Sequence, residues 1–378
     1  MRIVFTGGGT GGHFFPMLAV ARELKRLAEE ARILDLELYF LGPGAQFGPK
    51  SLQSELLRQE GIFSSRVIAG KLRRYFSLEN LLDLFKAGWG VLEALWKMFF
   101  IMPDVVFAKG GYGSFPTLLA ARIYRIPIIV HASDIIPGLV ERWAGKFATR
   151  IAISFPSSSK FFPRERTALV GNPVRTRILA ANVEQARETL GISGGRPVLF
   201  ILGGSQGARV INETTTALLE NLLPAYEIIH PAGEANFEDV RLETVPILEK
   251  GGKESYHLFG FLNEVELASA FALADIVISR AAASSIFEIA AWGRPAILIP
   301  LKNSAQEHQR ENAYEYARTG AAVVIEEDNL IPSVLFNEIQ KLIADPERRA
   351  RMSEAAKAFS RPDAAAVIAQ ELLTIGLH

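Results

Sequence analysis

No cysteine occurs in the 378 residues of the chain. Disulfides, thiolate metal sites and a cysteine nucleophile are therefore excluded together, and the composition is compatible with a reducing compartment. A net charge is also missing, because 41 basic side chains balance 41 acidic ones. Nothing global draws such a chain to nucleic acid, so any cationic site must be local. No run of about 18 uncharged apolar residues is present to cross a bilayer. The nearest, Ala87 to Met102, is broken by Glu93 and Lys97. A secretory signal is not expected either, since Met1-Arg2 leads straight into Ile3-Val4-Phe5 and then glycine.

What is present is a globular composition, 49% hydrophobic and 22% charged, in a chain too long for a single core. Short apolar runs alternate with amphipathic stretches. Ile3–Thr6, Leu36–Leu41, Val105–Ala108, Ile128–His131 and Ile151–Ser154 read as buried strands, with helices such as Pro16–Glu29, Ser114–Arg125 and Pro137–Phe147 between them. The alternation predicts a parallel sheet covered on both faces. The polar, turn-rich run from Phe155 to Arg164 reads as an interdomain linker. The pattern then restarts with Thr167–Val170, Val198–Leu202, Glu227–His230, Tyr256–Phe259, Ile276–Ser279 and Ala296–Pro300. The expectation is two doubly wound, Rossmann-like α/β domains facing across a cleft, over residues 1–160 and 161–360, with residues 361–378 packing back on the first.

Three glycine-rich turns each end a predicted strand and open a helix. They are Thr6-Gly7-Gly8-Gly9-Thr10-Gly11-Gly12-His13, Lys109-Gly110-Gly111-Tyr112-Gly113-Ser114 and Leu202-Gly203-Gly204-Ser205-Gln206-Gly207-Ala208. At such turns backbone N–H groups are unpaired, the helix dipole favours an anion, and no Cβ obstructs a ligand. Ligands of open α/β sheets bind at these strand ends. Gly7-x-Gly9-x-x-Gly12 formally matches a dinucleotide fingerprint, but the second strand ends in Gly42-Pro43-Gly44 with no carboxylate for a ribose, which counts against an oxidoreductase. No Gly-Lys-Ser/Thr marks a P-loop, and no Asp-x-Asp calls for a metal on a diphosphate.

A fourth junction follows the strand Ile276–Ser279. Arg280-Ala281-Ala282-Ala283-Ser284-Ser285 opens a helix whose small residues admit a diphosphate to its amino end, with Ser284 or Ser285 able to cap it or donate a hydroxyl. Glu288, a turn further in, suits a ribose diol, and Arg175 or Arg280 supplies positive charge. His308 and Gln309 open the next helix, where polar side chains suit sugar hydroxyls. His13, the ionisable side chain of the first glycine turn, is the candidate proton acceptor, and Asp134 in His131-Ala132-Ser133-Asp134 is a candidate to orient it. Residues 71–100 interleave Lys71, Arg73, Arg74 and Lys86 with Tyr75, Phe76, Phe85, Trp89, Trp96, Phe99 and Phe100. That stretch fits either a core helix with a basic rim or a helix lying in an anionic bilayer interface.

Taken in order, GGGTGGH, KGGYGSFP, the His131 segment, Val170-Gly171-Asn172-Pro173-Val174-Arg175, LGGSQGA, Gly260-Phe261-Leu262, the Arg280–Glu288 junction and HQRENA resemble the MurG family. These are the bacterial UDP-N-acetylglucosamine–N-acetylmuramyl-(pentapeptide) pyrophosphoryl-undecaprenol N-acetylglucosaminyltransferases of glycosyltransferase family 28. The resemblance spans nearly the whole chain. It implies a GT-B fold and an inverting transfer of GlcNAc from UDP-GlcNAc to lipid I, giving lipid II at the cytoplasmic face of the bacterial membrane. UDP-GlcNAc is then a substrate, no cofactor or metal is called for, and the partners are a lipid-linked acceptor and a membrane surface rather than nucleic acid. By motif, the Leu262 backbone would meet the uracil, Ala283, Ser284 and Ser285 the diphosphate, and Glu288 the ribose. Arg175 and Ser205 would contact the donor, with His308 and Gln309 at its sugar, and Gln206, Gly207 and Arg280 count among the substrate-binding residues. Thr10, Gly11, Gly12 and His13 would face the acceptor and the reacting centre, Gly110, Gly111 and Tyr112 count among the substrate-binding residues, and Asp134 stands with His13 as a catalytic candidate.

Two departures from the family pattern bear on donor and acceptor choice. His-Glu-Gln-Asn stands here as His131-Ala132-Ser133-Asp134, and Arg-Ser/Ala-Gly-Ala as Arg280-Ala281-Ala282-Ala283. Transfer to another lipid such as a diacylglycerol, and a non-catalytic nucleotide-binding protein, remain alternatives at this level.

Overall fold

The computed structural model describes residues 1–8, 11–43, 51–70, 78–204 and 207–377. Alternating apolar strands and amphipathic helices form two parallel sheets in two units, Met1–Val174 with Arg361–His378, and Arg175–Ser360.

In the first unit the strands are β1 (Arg2–Thr6), β2 (Glu37–Gly42), β3 (Phe63–Arg66), β4 (Val105–Ala108), β5 (Ile128–Ala132), β6 (Arg150–Ile153) and β7 (Thr167–Leu169). They lie in the order β3-β2-β1-β4-β5-β6-β7, every pair parallel. The helices are α1 (Gly11–Glu30), α2 (Leu52–Gln59), α3 (Leu78–Ile101), α4 (Phe115–Ile123) and α5 (Leu139–Gly145). Side chains alternate across a strand. Ile3, Phe5 and Phe107 therefore pack on one face with Leu18 and Leu24 of α1, and Val4, Val106 and Val130 on the other with Met98, Leu118 and Ala144. Burial on both faces is why these strands read as unbroken apolar runs.

The second unit has β8 (Val198–Leu202), β9 (Glu227–Pro231), β10 (Tyr256–Phe259), β11 (Ile276–Ser279), β12 (Ala296–Leu298) and β13 (Ala322–Val324), in the parallel order β10-β9-β8-β11-β12-β13. Its helices are α6 (Val183–Leu190), α7 (Arg209–Leu222), α8 (Phe237–Leu248), α9 (Glu264–Leu273), α10 (Ala283–Ala291), α11 (His308–Arg318), α12 (Pro332–Ala344) and α13 (Pro346–Phe359). Leu199, Ile201 and Ile278 face α7 and α12, while Phe200 turns to the other side and meets the Phe271 ring edge-on at 5.1 Å. After Ser360 the chain returns to the first unit as α14 (Ala364–Gly376), whose Ile368, Ala369 and Leu372 join the core beneath α1.

One boundary expectation is corrected. Thr167–Leu169 does not open the second sheet; it pairs in parallel with Ile151–Ile153 as the edge of the first. The turn-rich run before it is anchored rather than a linker, because Phe155 and Phe162 bury their rings and the Ser158 hydroxyl donates to the Asp134 carbonyl. The chain passes between units at Val174–Arg175.

Each sheet has one switch point, where the strand order reverses direction: between β1 and β4 in the first unit, and between β8 and β11 in the second. Crevices at the carboxyl ends of such strand pairs are where open α/β sheets bind ligands.

Candidate functional site

In the first unit the turns after β1 and β4 flank the switch point and touch through backbone. Gly8 N–H donates to the Gly110 carbonyl at 2.7 Å. Gly111 has φ of 79°, and a Cβ on it would lie 2.8 Å from Gly8 Cα, so glycine is needed there for both conformation and room. Gly11 and Gly12 form the first turn of α1 and bring His13 to the same place. His13 Nδ1 lies 3.0 Å from the Lys109 carbonyl. A carbonyl only accepts, so Nδ1 carries the hydrogen and Nε2 is left with its lone pair. The orienting contact on the ring is thus the Lys109 backbone, whereas the Asp134 carboxylate acts on the Lys109 ammonium, which it favours. Tyr112 stands partly exposed at the tip of the second turn, in a single 3-10 turn.

Beneath these turns lies a polar floor that sequence reasoning missed. The Lys109 side chain is fully buried, and its ammonium donates to His131 Nδ1 at 2.7 Å, to Asn172 Oδ1 at 2.8 Å and to the Ser133 hydroxyl. All three ammonium hydrogens are thereby used. His131 Nε2 in turn donates to the Gly171 carbonyl at 2.9 Å. Burial pulls the Lys109 ammonium from 10.5 down to about 7, against the opposing pull of Asp134 and Glu141. Burial, and then the Lys109 charge, hold His131 well below the usual imidazole range. Glu141 was also missed; its carboxyl is buried against Gly110 and Gly138, and burial raises its pKa above the usual carboxylate range.

In the second unit the turn after β8 carries Gly203, Gly204 and Gly207, the last two at φ of 85° and 76°. A Cβ on Gly207 would fall on the Ala232 carbonyl oxygen and 2.6 Å from Asn236 Nδ2. That carbonyl is fixed by Asn212 Nδ2 at 2.9 Å, while Asn212 Oδ1 lies 3.1 Å from His230 Nε2 and the Tyr256 hydroxyl 2.9 Å from His230 Nδ1. Burial lowers His230 from 6.5 to about 3, so the network is held by a neutral imidazole.

Across the switch point, α10 begins at Ala283 behind the N-cap Ala282, whose side chain makes no capping bond. Ser284 is therefore inside the helix rather than its cap, and the first-turn N–H groups of Ala283, Ser284 and Ser285 have no capping side chain at Ala282. Asn312 of α11, another missed residue, donates to the Ala281 carbonyl at 3.3 Å and ties α11 to this junction. His308 is the first residue of α11, and Gln309 accepts from the Leu301 N–H at 3.0 Å. The loop before them holds Asn303, Gln306 and Glu307 at φ of 63°, 60° and 55°. Non-glycine residues there are strained by about 1 kcal/mol each, a cost that concentrates at functional loops. Leu262 is buried one residue before Asn263, whose side chain accepts from Val265 and Glu266 N–H to cap α9.

The charged candidates depart from expectation. Arg280 is not open to an anion; it is buried, paired with Glu327 and donates to the Ile299 carbonyl at 3.3 Å. Arg175 donates to Glu288 Oε1 at 2.9 Å and lies 3.7 Å from Glu264. Arg175 and Glu288, read separately as diphosphate and ribose contacts, thus meet each other across a buried ion pair. Burial forces this, since a guanidinium out of water requires a carboxylate partner. Thr10, Ser205 and Gln206 lie outside the described residues, as do Lys71 to Phe76. Among the described residues no group of acidic, histidine or cysteine side chains is arranged to hold a metal ion.

On α3, Phe85, Trp89, Leu92, Trp96 and Phe99 recur at helical spacing along one face and are each at least 60% exposed. Glu93 and Lys97 form a 2.7 Å pair off that stripe, with Glu93 also accepting from the Ile68 N–H. Among the described residues no helix is long and apolar enough to cross a membrane.

Two family models match the chain, the glycosyltransferase family 28 N-terminal domain over residues 3–153 and its C-terminal domain over residues 198–368. Similar proteins include the UDP-N-acetylglucosamine–N-acetylmuramyl-(pentapeptide) pyrophosphoryl-undecaprenol N-acetylglucosamine transferase of Treponema denticola, 35% identical over 98% of this chain and 96% of that protein. The protein of the same name from Clostridium botulinum is 35% identical over 90% of each. Among solved structures, MurG of Acinetobacter baumannii shares the fold, with a TM-score of 0.72 and 24% identity over 99% of both chains.

Proposed function

The chain belongs to glycosyltransferase family 28, among its MurG-type transferases, and from that premise we propose how its residues perform the transfer. The reaction moves N-acetylglucosamine from UDP-N-acetylglucosamine to lipid I, giving lipid II. The nucleotide sugar is consumed as a substrate.

The first unit binds the acceptor and the second the donor. In the second, the first-turn N–H groups of α10 and the Ser284 and Ser285 hydroxyls take the diphosphate, with Gly207 admitting it closely. The Arg175–Glu288 pair reorganises on binding, so that Glu288 accepts from the ribose and Arg175 follows the negative charge. The Leu262 backbone meets the uracil, and His308 and Gln309 meet the sugar. In the first, His13 Nε2 takes the proton of the muramyl hydroxyl. As the oxygen attacks the anomeric carbon, the bond to UDP breaks, its electron pair leaves on the diphosphate, and configuration inverts. Amide dipoles already fixed in place stabilise the developing charge without reorganising.

The aromatic stripe of α3 docks the protein on the cytoplasmic face of an anionic bilayer, where the lipid acceptor resides. Amphipathic rings at helical spacing, too charged to span, suit an interfacial position.

The observation that carries this reading is the placement of glycine turns and the amino end of α10 at the switch points of both sheets. Incubation with UDP-GlcNAc and lipid I should release UDP and form lipid II. His13→Asn should lower kcat by about 10²–10⁴-fold while UDP affinity stays within twofold. Intact nucleotide binding with no UDP release from the parent protein would refute the assignment.

A further inference from the structure

We propose that Glu141 is a positioning residue for His13, acting through space across the Gly110–Gly111 turn that separates them. The proposal rests on reading His13 as the proton acceptor. The two side chains lie on opposite sides of one bare backbone turn. On one side, a Cβ at Gly111 would sit 3.8 Å from His13 Cε1, and one at Gly8 3.6 Å from His13 Cδ2. On the other, a Cβ at Gly110 would fall on Glu141 Oε1, which already accepts the Gly111 N–H at 3.3 Å. The ring thus stands at ordinary van der Waals distance from one side of the turn, while on the other only glycine at position 110 leaves room for the carboxyl.

The residue is 8% exposed, and its Oε2 is buried with no hydrogen-bond partner. Buried polar atoms without a partner are few in folded proteins, and each calls for an explanation. Burial disfavours its charge and the nearness of His13 favours it, so the two groups are linked electrostatically. The other charged or titratable groups bearing on this pocket are Lys109 from β4 and His131 and Asp134 from the end of β5. When the acceptor hydroxyl surrenders its proton to His13 Nε2, the ring becomes an imidazolium, and an ionised Glu141 compensates that charge. The proton remains on His13, and no bond to Glu141 forms.

Glu141→Gln keeps the size and an oxygen for the Gly111 N–H but loses the charge. Its kcat should fall at least about tenfold while KM for UDP-GlcNAc stays within twofold. In protein free of substrate, NMR titration of the His13 ring, assigned with His13→Asn, should move to lower pH than in the parent, because removing a carboxylate disfavours the imidazolium. Glu141→Asp, which keeps the charge, should recover part of both. A folded Glu141→Gln whose titration and kcat match the parent overturns the proposal, as does an Asp variant no better than Gln. A shifted titration in a protein that never transfers GlcNAc would leave the coupling standing and overturn only the assigned reaction.

Discussion

Gly204 and Gly207 flank one turn and share one backbone conformation, so alanine at each separates strain from steric exclusion. With φ of 85° and 76°, either substitution forces alanine into the left-handed region, at about 1–2 kcal/mol. An added Cβ at Gly204 has nothing within 4 Å, so the cost should stop at that strain. At Gly207 it falls on the Ala232 carbonyl, which accepts from Asn212 at 2.9 Å and from Asn236 at 3.2 Å. Pushing that carbonyl aside weakens two bonds worth about 1 kcal/mol each, bringing the total to roughly 3–4 kcal/mol with the strain. Trp292 is the one tryptophan between Arg175 and Ser360. Urea unfolding followed by its fluorescence, with Trp89, Trp96 and Trp143 replaced by Phe, reports that unit alone. UDP affinity measured alongside should fall further for Gly207→Ala than for Gly204→Ala. Equal losses of stability at the two positions would refute the steric part of the reasoning.

Acid should weaken the second unit through His230. The unfolded ring takes a proton below about 6.5, whereas the folded one resists until about 3. Its contribution is therefore complete above pH 6.5 and is lost as pH falls towards 3, at up to about 1.4 kcal/mol per pH unit. His230→Gln should show a correspondingly shallower fall between pH 6 and 4 in the same urea assay, and a slope equal to the parent's would count against the buried neutral imidazole. For the α3 stripe, replacing Trp89 and Trp96 together with Ser should lower co-sedimentation with anionic phospholipid vesicles more than about tenfold. Undiminished sedimentation of the folded variant would remove that helix from the membrane contact.

The strands were legible because parallel strands buried on both faces leave a continuous apolar run, as at Val105–Ala108 and Ile276–Ser279. Where a strand lies at an edge that signal fades: Phe63-Ser64-Ser65-Arg66 pairs with β2 yet is largely exposed, and Thr167–Leu169 was read into the wrong sheet. The glycine turns were legible for a different reason, since a bare backbone at a strand end is a property of consecutive residues. Their supports are not consecutive. Lys109 meets Asn172 across 63 residues, and Arg175 meets Glu288 across 113. No spacing rule couples positions that far apart, so a lysine within a motif read for its glycines passed unnoticed, and two charges assigned separately to a ligand proved to hold each other.

Both units meet the same physical difficulty in the same way. A glycine turn offers its amides to a ligand because it has no side chains, but for that reason it cannot hold its own position. Something beneath it must, and here that something is a hydrogen-bonded network of side chains in a dry interior. In the first unit the support is Lys109 with His131, Ser133 and Asn172; in the second it is Asn212 with His230 and Tyr256. Each places a titratable base out of water, and each base is shifted the same way by burial, Lys109 to about 7 and His230 to about 3. In both, the unfolded chain binds the proton more readily than the folded one, so both supports are stabilised as pH rises, His230 over about 3 to 6.5 and Lys109 over about 7 to 10.5. Locally, however, a Lys109 that sheds its proton keeps only two of the three hydrogens that bond His131, Ser133 and Asn172, so the turns of the first unit should loosen between pH 7 and pH 9 while those of the second stay unchanged. Hydrogen exchange at Gly110–Gly111 against Gly203–Gly204, compared at pH 7 and pH 9 after correction for intrinsic rates, would expose that difference.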